Sequence, residues 1–255
     1  MRGRRRARKW VFRVGFVLGL CVTYIGVSTL WGLFSFSRTR DLYPQVTYPA
    51  PDFRPDVSWS QSRPANWIPL KSMPRSAWIA VIATEDGGFF KHNGVEWEQS
   101  LAKIRADLKN REFPHGISTL NQQIVKNLYF GGRHPVSRKF QEYFVARRMD
   151  SVLSKQRILE IYLNIAEWGP GVVGIGEAAR HYFKKPVSKL SNYECAVLAN
   201  LLPNPRVRGT WVRSGRLPRP FQRLVSRTMR RLSGTERAAR AQIAKARVLA
   251  SATKD

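Results

Sequence analysis

Cysteine is almost missing from this chain. Of 255 residues only Cys21 and Cys195 carry a thiol, and Cys21 lies inside an apolar run, so no disulfide framework and no cysteine-based zinc site is expected. The four histidines, His92, His115, His134 and His181, lack metal-ligand spacing. Acids are scarce too: 17 Asp plus Glu stand against 44 Lys plus Arg, a net charge of +27. A partner should therefore be polyanionic, which admits nucleic acid, anionic lipid headgroups or phosphorylated substrates. Alternating strand patterns are hardly visible, and no internal repeat is apparent. With 43% hydrophobic and 24% charged residues, whole-chain disorder and a polytopic membrane protein are both excluded. The length allows one sizeable domain plus an appendage.

Charge is also absent locally. Residues 1–13 hold seven basic side chains and no acid, and Val14 to Phe36 follow without a single charge. A helix of those 23 residues reaches about 35 Å, enough to cross a hydrocarbon core of about 30 Å. The expectation is a basic cytoplasmic segment (1–13) and a transmembrane helix (14–36), with the remainder on the far side by the positive-inside rule. A cleaved signal peptide is the rival, although the apolar run exceeds the usual h-region. Residues 37–66 are proline-rich and read as a stalk, residues 67–205 as the folded domain, and residues 206–255 as a basic, solvated helical extension. Within the domain apolar positions recur at helical spacing: Trp97, Leu101, Ile104 and Leu108; Leu120, Ile124 and Leu128; Ile158, Ile161 and Tyr162. Thr119 with Gln122, and Ser191 with Glu194, have capping-box spacing. The domain is expected to be mainly α-helical.

Three segments carry chemistry. In the first, Glu85-Asp86-Gly87-Gly88-Phe89-Phe90-Lys91-His92-Asn93-Gly94, an acidic pair ends an apolar helix. Burial against Phe89 and Phe90 would raise the Glu85 pKa and make it a base near neutral pH; a solvated surface cap is the plain alternative. In the second, Ser118 and Thr119 open a helix whose Gln122, Gln123 and Lys126 form a polar stripe, with Asn127 beside it, suited to an anionic, hydroxyl-rich ligand. An ordinary amphipathic helix with a wet side fits equally. In the third, Arg138 and Lys139 sit one turn before Glu142 on a half-buried stripe, where an i,i+4 salt bridge is the plain reading. The run Gly169-Pro170-Gly171-Val172-Val173-Gly174 matches GxGxxG, but it follows a helix and contains proline, so it is read as a loop.

In order and spacing these segments resemble the glycosyltransferase family that polymerises peptidoglycan. The carriers are Glu85 to Gly94, the Ser-Thr-x-x-Gln-Gln-x-x-Lys-Asn block from Ser118 to Asn127, and Arg138 to Asn164. Tyr162 to Gly169 and Leu201 to Pro205 look most like the short, monofunctional members of Gram-negative bacteria, and the residues after Pro205 are too few for the transpeptidase domain of bifunctional penicillin-binding relatives. Ile117 stands where that family has a small residue. The resemblance implies a mainly α, lysozyme-like fold of two lobes behind one transmembrane helix, with the domain periplasmic at the inner membrane. Glu85 matches the base that takes a proton from the acceptor's sugar 4-hydroxyl, and Glu142 the second acid that assists departure of the lipid pyrophosphate. Lys126, Arg133, Arg138 and Lys139 match the cations at that pyrophosphate, Arg133 with a spacing one residue shorter than in some relatives. Ser118, Thr119, Gln122, Gln123 and Asn127 would line the cleft.

The implied partners are lipid II, the growing glycan chain, the membrane and other cell-wall synthesis proteins, with a divalent cation, magnesium or manganese, as a candidate at the pyrophosphate. Helix residues 101–111, with Leu101, Ile104 and Leu108 flanked by Lys103, Arg105, Lys109 and Arg111, offer an interfacial surface or an ordinary core helix. Two other functions remain open. A lysozyme-like hydrolase would use the same fold and one Glu but has no need of the Lys126, Arg138 and Lys139 group. A membrane-tethered nucleic-acid binder would suit the charge but has no recognition motif.

Overall fold

The computed structural model describes residues 40–48, 55–110, 118–130 and 135–234, together with isolated positions between 15 and 30. Residues 1–13 and most of 14–36 lie outside the described residues, as do Arg133 and the chain beyond 234. Among the described residues no helix is long and apolar enough to cross a membrane. Val22, Val27 and Leu30 are helical and exposed, and the Thr23 hydroxyl donates to the Gly19 carbonyl one turn back.

The body is mainly helical, with two small antiparallel sheets. Strands β1 (Tyr43–Thr47) and β2 (Asp56–Ser60) pair first. Helices α1 (Arg75–Glu85) and α2 (Trp97–Lys109) follow, then α3 (Leu120–Val125), which continues as a π-helical turn over Lys126–Phe130. Next come α4 (Pro135–Val152), α5 (Lys155–Ile165), the hairpin β3 (Glu167–Gly169) and β4 (Val172–Val173), α6 (Ile175–Phe183), α7 (Asn192–Ala199) and α8 (Pro205–Ser214). A last helix, α9, spans 219–234. The GxGxxG run is the β3–β4 hairpin and the entry to α6, with Pro170-Gly171 in the turn and Gly171 at φ 72°.

Both expected capping boxes form. The Thr119 hydroxyl accepts from Gln122 N while Gln122 accepts from Thr119 N, and Ser191 and Glu194 do the same at α7. Leu120, Ile124 and Ile158 are fully enclosed, as their spacing predicts. At the centre lie Trp168, Phe89, Phe130 and Phe221. Small residues Ala77 and Ala80 let α1 pack on α7, where the Ser76 hydroxyl meets the Cys195 sulfur at 3.4 Å.

The folded body reaches beyond 67–205 at both ends. Proline does not prevent β1 from pairing, because β1 is an edge strand of a two-stranded sheet and Pro44, the one proline in it, need donate nothing outward. Val46 is buried, Tyr43 packs edge-on against Trp67 with ring centroids 5.1 Å apart, and the Tyr48 hydroxyl donates to the Ile165 carbonyl. Downstream, Phe221, Val225 and Leu232 bury one face of α9, and Thr228 receives a hydrogen bond from Asn200 at 2.9 Å. A solvated extension is therefore replaced, as far as residue 234, by a core helix with an arginine-rich outer face. The entry segment is clamped by α5: Glu160 accepts from the Trp67 indole and from Leu70 N, and Asn164 exchanges two 2.8 Å bonds with the Ile68 backbone.

Two close approaches admit only glycine. Tyr182 donates its hydroxyl to the Trp168 carbonyl, and a Cβ at Gly169 or Gly209 would collide with that hydroxyl, so α8 sits directly on β3. Gly94 has φ 86°, and a Cβ there would run into the Ala146 carbonyl oxygen of α4. Gly94→Ala should therefore lower stability by about 2 to 4 kcal/mol, read as a fall in thermal midpoint; an unchanged midpoint refutes this packing.

Candidate active site

The site begins where α1 ends. Ala80 and Val81 bury the helix, so its last residue, Glu85, emerges inside the body rather than at the surface. Its carboxylate oxygen Oε2 accepts from Gln123 Nε2 at 3.0 Å, and the Gln123 carbonyl oxygen in turn accepts from the Tyr162 hydroxyl at 2.9 Å. Burial raises the Glu85 pKa; the hydrogen bond from Gln123 and the charges of Arg208 and Lys126 oppose that rise, while the neighbouring Asp86 adds to it. A desolvated acid was expected here, and the solvated-cap alternative is excluded. Phe90, however, points outward at 55% exposure.

Asp86 is the structural half of the acidic pair. It is 4% exposed, both its oxygens meet His92 Nε2, at 2.9 and 3.0 Å, and Oδ2 also accepts from Leu120 N, the first amide of α3. Gly94 N donates to His92 Nδ1, which fixes the ring hydrogen on Nε2 as the donor to Asp86. Lys155 completes the frame, donating to the His92 carbonyl and to Asp150. The first and second motifs are thus bolted together through one carboxylate.

The third motif supplies a cationic wall. Glu142 is 2% exposed; Oε1 accepts from Arg138 Nε at 3.0 Å and Oε2 from Lys139 Nζ at 3.1 Å, while Lys139 also donates to the Ser118 hydroxyl at 2.7 Å. The i,i+4 pair is present, but it is one half of a triad in which a buried carboxylate holds two partly exposed cations. Lys126 stands between the two acids. Burial lowers its pKa, the charges of Glu142 and Glu85 raise it, and Arg138 and Lys139 lower it again. The π-helical turn that starts at Lys126 widens the backbone where this side chain leaves the helix.

Glu85, Gln123, Lys126, Ser118, Arg138, Lys139 and Glu142 are therefore brought together. Thr119 and Gln122 are not cleft residues: the Thr119 hydroxyl donates to the Gly94 carbonyl, and Gln122 is 4% exposed and spent on the cap. Asn127 donates to the Tyr48 hydroxyl at 3.0 Å, tying the π turn to the first hairpin. Three participants escaped sequence reading. Tyr162 read as a core residue; Tyr48 lay in the expected stalk; Arg208 lay beyond the expected domain. Arg208 donates to the Asn200 carbonyl, beside the Ala199 carbonyl that accepts from Thr84.

A resident cation does not fit this donor set. Among the described residues no group of three or more His, Cys, Asp or Glu side chains is placed to hold a metal ion, Asp86 is spent on His92 and Leu120, and Glu142 is spent on Arg138 and Lys139. Asp86→Ala should cost about 2 to 4 kcal/mol, because it strands the His92 donor and the Leu120 amide in a buried place; a thermal midpoint equal to wild type would count against this role.

Comparison with known proteins matches residues 56–230 to the family model described as Transglycosylase. The biosynthetic peptidoglycan transglycosylase of Nitrosomonas eutropha is 41% identical over 161 residues, covering 63% of this chain and 66% of that protein. The protein of the same name from Brucella suis is 38% identical over 192 residues, 72% of this chain and 85% of that protein. That of Nitrobacter winogradskyi is 43% identical over 170 residues, 66% and 70% respectively.

Proposed function

Because the chain belongs to the transglycosylase family, we propose that it is a peptidoglycan glycan-chain polymerase, which transfers a lipid-pyrophosphate-linked glycan onto the 4-hydroxyl of lipid II. The observation that carries this reading is Lys126, a cation electrostatically coupled to both Glu85 and Glu142. It joins a desolvated base on one side to a fixed positive wall on the other.

Each group then has one task. Glu85 takes the proton from the acceptor hydroxyl as that oxygen attacks the anomeric carbon of the growing chain. The bond from that carbon to the pyrophosphate oxygen breaks, and the polyprenyl pyrophosphate leaves with the electron pair. Its negative charge grows as the bond breaks, so fixed cations stabilise the transition state more than the ground state. Lys126, Arg138 and Lys139 supply that field. Glu142, with both oxygens committed, acts by holding Arg138 and Lys139 in place. Ser118 steadies Lys139 from the other side. Arg133, which lies outside the described residues, is assigned to the pyrophosphate by the resemblance alone.

Membrane attachment completes the proposal. The uncharged run from Val14 to Phe36 anchors the chain in the inner membrane with the domain periplasmic. On α2 and α4 the exposed Trp97, Leu108 and Phe144, with Arg105, Lys109, Arg147 and Arg148 around them, suit the headgroup region. Trp97 packs edge-on against Tyr143, which Arg147 overlies at 6.0 Å.

Incubating the purified, membrane-anchored protein with lipid-linked precursor should yield polymer; cleavage of finished glycan without polymer would favour a hydrolase. Glu85→Gln is expected to reduce polymerisation by roughly 100-fold or more with the thermal midpoint retained, and near-normal turnover of that variant would reject the base. Lys126→Ala should lower kcat more than it raises KM, since its charge matters most as the pyrophosphate departs; a change in KM alone would refute that assignment.

A further inference from the structure

Among the described residues one side chain hydrogen-bonds the Glu85 carboxylate, and that side chain has two chemically opposite ends. A carboxamide turned over by half a rotation exchanges a donor for an acceptor with almost no change in shape, so packing alone cannot choose between the two. Presented with its NH2 group, Gln123 stabilises an ionised Glu85. Presented with its carbonyl oxygen, it stabilises the protonated acid, which cannot serve as a base. We propose that Tyr162 is the positioning residue that sets the polarity of the Gln123 amide and so keeps the Glu85 carboxylate ready to accept a proton. The inference rests on Glu85 being the base.

The geometry runs in one line. The Tyr162 hydroxyl donates to Gln123 Oε1 at 2.9 Å, and Gln123 Nε2 donates to Glu85 Oε2 at 3.0 Å. Tyr162 is 2% exposed on α5, and among the described residues Gln123 is the one acceptor its hydroxyl meets. A buried hydroxyl is satisfied by the acceptor it meets, so the phenolic hydrogen is directed at the Gln123 carbonyl. Burial, reinforced by the negative charges of Glu85 and Asp86, pushes the phenol well above its ordinary pKa, so the donor is not lost by ionisation. A permanent donor at one end of the amide and an acid at the other leave a single satisfied arrangement. The groups facing Glu85 are Gln123, Asp86, Lys126 and Arg208, and only Gln123 changes sign by rotating.

Tyr162→Phe removes the hydroxyl and keeps the ring. The Gln123 carbonyl then lacks a donor and turns toward Glu85, where it favours the protonated form. The sign follows: the acid limb of kcat/KM moves to higher pH. Measured for the full chain on lipid-linked precursor between about pH 5.5 and about pH 9, the limb should rise by roughly one pH unit, so activity falls about tenfold at the acid end and returns toward wild type at the alkaline end. A loss that is uniform across pH, or an unchanged profile, overturns the inference, since a purely structural tyrosine gives one of those. If the Phe variant does not hold its fold by thermal midpoint, Tyr162→Met, which also lacks the hydroxyl, is read in the same way. Glu85→Gln in the same assay separates the failures. If it retains activity, the base assignment is wrong; if it is inactive while Tyr162→Phe keeps the wild-type profile, only the positioning role of Tyr162 is wrong.

Discussion

Everything in the cleft depends on where one buried carboxylate spends its lone pairs. Asp86 takes a hydrogen from His92 and another from the first amide of α3, and those two bonds hold the glycine-containing loop, the α3 start and the end of α1 in a fixed relation. An anion at a helix start is favoured by the aligned peptide dipoles as well as by the direct bond. Its neighbour Glu85 is thereby aimed at Gln123 without needing any rigid support of its own. The division of labour between adjacent acids follows from helix geometry, because successive side chains at a helix end point in different directions. One is sealed into the frame and the other is left with an oxygen to use.

The electrostatics of the cleft are arranged in opposition. Desolvation favours a neutral Glu85 and a neutral Lys126, and their mutual attraction with Glu142 favours the charged forms. A surface site would relieve this by hydration. Here the relief comes from partners fixed in advance, Gln123 for the acid and Glu142 for the cations, so the proposed departure of a diphosphate would need little reorganisation. The strongly positive composition is consistent with that demand at the site and with the arginine-rich outer face of α9, where Arg223, Arg227, Arg230 and Arg231 are exposed.

Local spacing made the helices legible. Thr119 with Gln122 and Ser191 with Glu194 declare their caps within four residues, and Leu120 with Ile124 declares a buried face, so no distant part of the chain was needed to read them. The same locality misleads at Gln122: its place on the polar stripe suggests a cleft residue, yet one side chain cannot both close a cap and line a groove, and the cap won. The first hairpin was illegible because its prolines look like a stalk and its stabilising partners, Trp67, Asn127 and Ile165, are remote in sequence. Tyr162 was hidden for a related reason. A tyrosine at a helical core position reads as apolar filling, and only the assembled structure brings its hydroxyl to Gln123.

The slot around Tyr182 has an evolutionary corollary. Because Gly169 and Gly209 both abut the same phenolic oxygen, neither can acquire a side chain unless position 182 shrinks, and a smaller residue at 182 would leave space that both glycines are then free to fill. These three positions, scattered along the chain, are tied in one direction: a related sequence that keeps the tyrosine should keep both glycines.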